Sequence, residues 1–284
     1  MTTSIAEAIL QGANKLRKAG VSDARREAGS LLAYVIKRDQ SFIISHASDP
    51  MEPEKLEEFE EVLSRRAKGK PQQYITGHQE FFGLDFEVTV DVLIPRPETE
   101  LLIETALRLL PTTESFICDV GTGSGCIAVT VLHELPHARG MAIDVSSAAL
   151  EVAKRNASRH AVADRLEFLI SDCFAEVDRK TPLFDMVVSN PPYVSVHDLE
   201  GLQREVRDYE PHLALAAGED GLSVICRLLV DSGIYLKQGG HFLFEIGFEQ
   251  GDAVERLIDR RDWKLLDIHP DLQGIPRTVA LEKL

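Results

Sequence analysis

Two short motifs contain the residue types that could do chemistry. Asp119-Val120-Gly121-Thr122-Gly123-Ser124-Gly125 follows an apolar run, and Asn190-Pro191-Pro192-Tyr193 follows a later one. Glycine lets the backbone turn sharply and lets a ligand come close to it. The two prolines fix φ and remove two backbone donors, leaving carbonyls that can only accept. An Asn side-chain oxygen and the Pro191 carbonyl can then take the two hydrogens of an NH₂ group, with Tyr193 as a flat wall for a planar substituent. An amide nitrogen is a weak nucleophile because its lone pair is delocalised. Activating it is a matter of positioning and electrostatics. Together the motifs point to methyl transfer onto nitrogen.

The glycine spacing is G-x-G-x-G, not the G-x-G-x-x-G of the dinucleotide fingerprint. Asp119 beside it would repel a pyrophosphate and attract an ammonium group. Asp144 lies 19 residues past Gly125, where a carboxylate can accept both hydroxyls of a ribose; the plainer alternative is a cap on the next helix, a job open to Ser146 or Ser147. Asp172 is placed to touch an adenine amino group, with Cys173 or Phe174 against the ring, and its plainer reading is again a cap. His133-Glu134-Leu135-Pro136-His137 matches H-E-x-x-H, but Pro136 breaks the helix a zinc site would need, and no metal is expected. Arg65, Arg66, Lys68 and Lys70 read as a solvated helix face rather than an RNA-binding or acidic-partner patch.

The elements that must position these residues follow from periodicity. The first 75 or so residues read as a small helical bundle. Ser4 with Glu7 forms a capping box, Gly20 closes the first helix, Ser22 caps a second, Phe42–Ile44 a third, and a fourth follows Pro53 until Gly69 and Pro71. Phe82, Leu84, Phe86, Val88 and Val90 then alternate with polar residues or glycine, as in a hairpin. Pro95-Arg96-Pro97 ends it and a helix runs from about Glu98 to Leu110. From Ser115 strands and helices alternate, calling for a mostly parallel sheet covered on both faces. The last two extended segments, 264–268 and 278–281, belong at an edge, where an antiparallel pairing is open to them. The expected organisation is a helical recognition domain over 1–77, a hairpin linker over 78–95 and a cofactor-binding α/β domain over 96–284.

Of the 284 residues, 44% are hydrophobic and 27% charged, as in an ordinary globular protein, and no stretch has the length of a membrane helix. No signal peptide is visible at the start. Cys118, Cys126, Cys173 and Cys226 form no Cys-x-x-Cys pair, which fits a reducing cytoplasm. Residues 1–80 carry 12 basic and 12 acidic side chains, leaving the whole net charge of −15 on residues 81–284. Such a domain is a poor match for nucleic acid and a better one for a cationic cofactor and a protein substrate.

The two motifs resemble those of class I S-adenosylmethionine-dependent methyltransferases, in the amino-methylating group with the Asn-Pro-Pro-Tyr signature. Pro71-Gln72-Gln73-Tyr74-Ile75 with Gly77, Phe82-Gly83, Leu93-Ile94-Pro95-Arg96-Pro97-Glu98-Thr99-Glu100 and Gln273-Gly274-Ile275-Pro276-Arg277 extend the resemblance, over essentially the full chain, to the peptide-chain-release-factor glutamine N5-methyltransferases. It implies a Rossmann-like α/β fold and methylation of the Gly-Gly-Gln glutamine in class I release factors, with S-adenosyl-L-methionine as cofactor. It also implies cofactor contacts at Gly121, Thr122, Gly123, Ser124, Gly125, Asp144, Asp172, Cys173 and Asn190. Substrate contacts fall on Asn190, Pro191, Pro192 and Tyr193, of which Asn190 and Tyr193 are the candidate catalytic residues. The position after Asp172 is often aromatic in this family, whereas here it is Cys173. The N-terminal bundle would grip the release factor, with no direct nucleic-acid contact and no membrane. Other readings are an amino-methyltransferase of nucleic acid (adenine N6 or guanine N2), a ribosomal-protein glutamine methyltransferase and a non-catalytic adaptor.

Overall fold

The computed structural model describes residues 3–284. The chain divides into two compact units, one made of the residues up to Gly77 with Gln203–Tyr209, the other of His78–Leu202 with Glu210–Leu284.

The first unit is helical: α1 Ile5–Lys18, α2 Ala24–Ile36, α3 Gln40–Ser45, α4 Pro53–Ala67 and α5 Gln72–Thr76. The capping box forms, with the Ser4 hydroxyl accepting from Glu7 N–H and the Glu7 carboxylate accepting from Ser4 N–H. Helix α2 starts later than expected: its N-cap is Asp23, which makes no side-chain cap bond, so Ser22 does not cap it. Leu16, Leu31, Leu32, Phe59 and Leu63 fill the core at helical spacing. Arg66 corrects the view of its neighbourhood as a solvated face. It is only 7% exposed and bonds Glu27 through Nε at 2.5 Å and Glu205 through Nη2 at 2.8 Å, while Arg65 and Lys68 are exposed.

The second unit opens with a hairpin, β1 His78–Phe81 and β2 Leu84–Glu87. Its turn is Phe82-Gly83, both at positive φ (52° and 75°), as a two-residue type I′ loop demands. The alternation beginning at Phe82 therefore marks the turn and second strand only. The polar-looking His78–Phe81 is the other strand, and the extended pairing stops at Glu87. Phe81 and Phe86 are buried among Leu102, Ile103 and Val131.

Then come α6 Glu100–Leu109, β3 Ser115–Val120, α7 Cys126–Glu134, β4 Ala138–Asp144, α8 Ser147–Arg159, β5 Leu166–Ile170 and β6 Phe184–Ser189. These are followed by α9 Arg204–Tyr209 (in the first unit), α10 Ser223–Tyr235, β7 Leu236–Glu245, α11 Gly251–Leu257, β8 Trp263–Pro270 and β9 Pro276–Lys283. The seven-stranded sheet runs β5-β4-β3-β6-β7-β9-β8. Five strands are parallel, while β9 is antiparallel to both β7 and β8, so the last two lie at one edge as expected. Its central strands read as apolar runs because both faces are covered. The connection order reverses between β3 and β6, which places a ligand crevice beyond their carboxyl ends. Helix α7 stops at Glu134 and Leu135 leaves helical geometry, so His133 and His137 do not share a helix. Among the described residues no helix is long and apolar enough to cross a membrane.

Candidate active site

Register brings the motifs together. Asp119 pairs with Ala142 on β4 and Val188 on β6, so Gly121, Asp144 and Asn190 emerge from adjacent strands at one end of the sheet. Beyond them lies a cavity of about 570 Å³, inside the range of roughly 300–1,000 Å³ of small-molecule sites. Gly121 to Ser124, Asp144, Asp172, Cys173, Asn190, Pro191 and Pro192 all line it. Gly125 and Tyr193 do not line it.

The loop is held from below. Gly121 and Thr122 N–H both donate to the Ile143 carbonyl, at 2.8 and 2.9 Å. The buried Asn156 amide donates to the Ser124 and Glu87 carbonyls and accepts from Glu87 N–H, tying loop to hairpin. Gly125, at φ 81°, begins α7, and a Cβ there would come within 3.1 Å of the Ala153 Cβ on α8, so only glycine allows this helix approach.

Asp119 does not serve the cavity as expected. It is fully buried, with Oδ2 accepting from the Thr122 hydroxyl at 2.6 Å and from Ala128 N–H at 3.2 Å. It thus staples the loop to the first turn of α7 and presents no carboxylate to an ammonium group. Burial raises its pKa to about 7, against the two hydrogen bonds.

Asp144 accepts from Gly123 N–H at 2.8 Å and Ser146 N–H at 2.9 Å. Burial pushes its pKa up and these N–H groups oppose the shift. Ser146 caps α8 through Ala149 N–H, so Asp144 is not needed for that job. Two N–H bonds leave carboxylate lone pairs for the cavity. Asp172 follows the neighbouring strand β5, its carboxylate 2.7 Å from Arg227 Nη1. Cys173 and Phe174 face different surroundings. Cys173 lines the cavity, while Phe174 is buried and stacked on Tyr235 at 4.8 Å. Desolvation raises the Cys173 thiol to about 11, so it is a soft neutral wall rather than a nucleophile.

At the acceptor corner Asn190 Nδ2 donates to Thr99 Oγ1 at 3.0 Å, and Thr99 donates to Glu245 Oε2 at 2.6 Å. The Tyr193 hydroxyl donates to Glu245 Oε1 at 3.1 Å. A Cβ on Gly247 would lie 3.0 Å from the Tyr193 ring. These contacts brace the Tyr193 side chain. Tyr193 anchors the Pro-Pro turn against β7, and burial beside Glu245 raises its phenol pKa well above the ordinary value.

The family models of the PrmC N-terminal domain and the methyltransferase small domain match residues 7–77 and 97–207. A release factor glutamine methyltransferase of Koribacter versatilis is 42% identical over 94% of both chains, and that of Cereibacter sphaeroides 43% over 97% of both. The chain belongs to the release factor glutamine methyltransferase family. The fold agrees: a methyltransferase from Pyrococcus furiosus superposes with a TM-score of 0.53, at 16% identity, over 78% of this chain and 96% of that one.

Other residues of this family member's cavity escaped the sequence reading. Leu213, Ala214 and Arg227 line it, but no local pattern marks them. Glu210, which bonds Arg96 at 2.5 Å and Ile94 N–H at 3.3 Å, fixes the 93–96 segment at the rim. Glu245 could have been noticed as a carboxylate ending the apolar run Phe242-Leu243-Phe244.

Proposed function

We propose that this chain transfers a methyl group from S-adenosylmethionine to the side-chain amide nitrogen of the Gly-Gly-Gln glutamine in class I release factors. One observation carries the reading: in a member of this family, the glycine loop and the Asn-Pro-Pro corner open onto one cavity. The cavity fits the cofactor. At Gly121 and Gly123 a Cβ would meet nothing within 4 Å, so the backbone is open to close approach. Asp144 supplies acceptors for a ribose diol, and Asp172 with Cys173, after the adjacent strand, the contacts for a base. When bound, the sulfonium supplies an electrophilic methyl carbon.

Every other part belongs to the chain. Asn190 accepts one hydrogen of the glutamine amide and a proline carbonyl the other, which localises the nitrogen lone pair and aims it into the cavity. Tyr193 keeps that corner from moving through its bond to Glu245. Rate comes from placement more than from proton removal, because an amide nitrogen losing conjugation gains most from orientation. The helical segment 1–77 recognises the release factor, 96–284 holds the cofactor, and 78–95 links them along the chain. The acidic charge of residues 81–284 disfavours a nucleic-acid substrate.

The test is incubation with methyl-labelled S-adenosylmethionine and, separately, a release factor, ribosomal RNA and DNA. Label on the release factor alone is expected. Label on nucleic acid instead would replace this reading with an amino-methyltransferase of nucleic acid.

A further inference from the structure

The side chain that would grip the glutamine amide is itself symmetric in outline. A carboxamide can present oxygen or NH₂ at the same place, and only the oxygen can accept a substrate hydrogen. Something must choose between the two orientations of Asn190. The structure contains a chain of hydrogen bonds that makes this choice, running from the end of β7 through the segment before α6 to the end of β6.

Glu245 is 1% exposed and its two carboxylate oxygens face two hydroxyls, Thr99 Oγ1 at 2.6 Å and Tyr193 Oη at 3.1 Å. A carboxylate has no hydrogen to give, so each hydroxyl must donate to it. The Thr99 hydroxyl has a single hydrogen, and it is now committed. Toward its other neighbour Thr99 can only accept. That neighbour is Asn190, 3.0 Å away, which must therefore turn its NH₂ to Thr99 and its Oδ1 elsewhere. Burial pushes the Glu245 carboxyl above its ordinary value, and the two hydroxyl bonds and the positive charge of Arg277 oppose that shift in favour of the carboxylate.

We propose that Glu245 and Thr99 are positioning residues that lock the Asn190 amide with its oxygen free to accept from the substrate. The idea rests on the function proposed above. Glu245 touches neither substrate nor cofactor. Its direction of polarity is handed along, and the same carboxylate pins the turn through Tyr193. A hydroxyl at position 99 is required, not bulk, and an acceptor-only group at 245, not a polar side chain of the same shape.

Three variants with known melting temperatures test this against the wild type: Thr99→Val (same shape, no hydroxyl), Thr99→Ser (hydroxyl kept) and Glu245→Gln (same shape, but able to donate). Steady-state transfer to a release factor gives kcat and KM, and calorimetry with S-adenosylhomocysteine gives cofactor affinity. Thr99→Val and Glu245→Gln should lower kcat about 10- to 100-fold, the scale of a misdirected hydrogen bond at a reacting group, with cofactor affinity changed less than about threefold. Thr99→Ser should stay within about threefold of wild-type kcat on the same grounds. The inference is overturned if Thr99→Val turns over as fast as wild type, if Thr99→Ser is as impaired as Thr99→Val, or if cofactor affinity falls as far as kcat. Should Thr99→Val not fold, Glu245→Gln decides by the same criteria. A wild-type protein that labels no release factor sinks the functional reading and this one together; an active wild type with indifferent variants sinks only this one.

Discussion

Gly221 is where a single added methyl group would press hardest on the Asn-Pro-Pro-Tyr turn. Its φ is +73°, and a Cβ there would lie 2.4 Å from the Tyr193 carbonyl oxygen and 2.8 Å from Gln250 Nε2. The carbonyl cannot yield cheaply. It accepts from Gln250 Nε2 at 3.0 Å, and Gln250 in turn bonds the Gly221 carbonyl at 3.3 Å and Gly247 N–H at 2.8 Å. Gly221→Ala must therefore push the backbone of the Asn-Pro-Pro-Tyr turn. An L-residue at positive φ costs roughly 1–2 kcal/mol and overpacking roughly 1–3 more, so the loss is about 2–5 kcal/mol. Gly239 is the control: its φ is +74°, but nothing lies within 4 Å of its Cβ, and it sits in the opening half of β7, away from the site. Gly239→Ala should cost only the backbone share, about 1–2 kcal/mol. Urea unfolding of both variants measures the difference. Transfer kinetics should show kcat within about twofold of wild type for Gly239→Ala and down about 100-fold for Gly221→Ala, since misplacing a reacting group by an ångström costs that much. Equal stability and equal kcat for the two variants would refute the claim that the 221 backbone supports the turn.

Asp144→Ala should weaken S-adenosylhomocysteine binding by about 1.5–3 kcal/mol, read by calorimetry; unchanged affinity would remove Asp144 from the cofactor site. Asp119 has its carboxyl raised by burial to about 7. The native state therefore binds its proton more tightly than the unfolded chain, and this group's contribution to stability falls as pH rises from about 4 to about 7, by up to about 4 kcal/mol. Asp119→Asn has no such proton, so the wild-type minus variant stability should fall across that window in urea titrations; a constant difference would be the contrary result. Arg66→Met strands the largely covered Glu27 carboxylate, 13% exposed, and the partly screened Glu205. A loss of about 3–5 kcal/mol is expected by urea unfolding, and one under about 1 kcal/mol would contradict a structural role for the ion pair.

What was legible in the chain was local. The capping box at Ser4, the apolar runs of the parallel strands and the antiparallel edge can each be read within a dozen residues. That Ser146 rather than Asp144 caps α8 is local in the same way. What failed had partners far away in sequence. Arg66 looks like surface until Glu27 and Glu205, 39 and 139 positions distant, fold against it. Asp119 looked like a ligand because its neighbours are glycines, yet its position in a central strand turns it inward to Thr122 and Ala128. The hairpin lies inside the expected 78–95 segment, but its first strand is missed because an aromatic residue at positive φ is rare, and Phe82 reads as strand by type. The Thr99–Glu245 bond joins residues 146 apart and could not be seen without the fold.

The most direct test of the acceptor corner is Asn190→Ala, measured twice. Calorimetry should give S-adenosylhomocysteine affinity within about threefold of wild type, while transfer to a release factor falls by at least about 100-fold, because the side chain orients the acceptor amide rather than holding the cofactor. Turnover that survives, or affinity that collapses with it, would contradict the account.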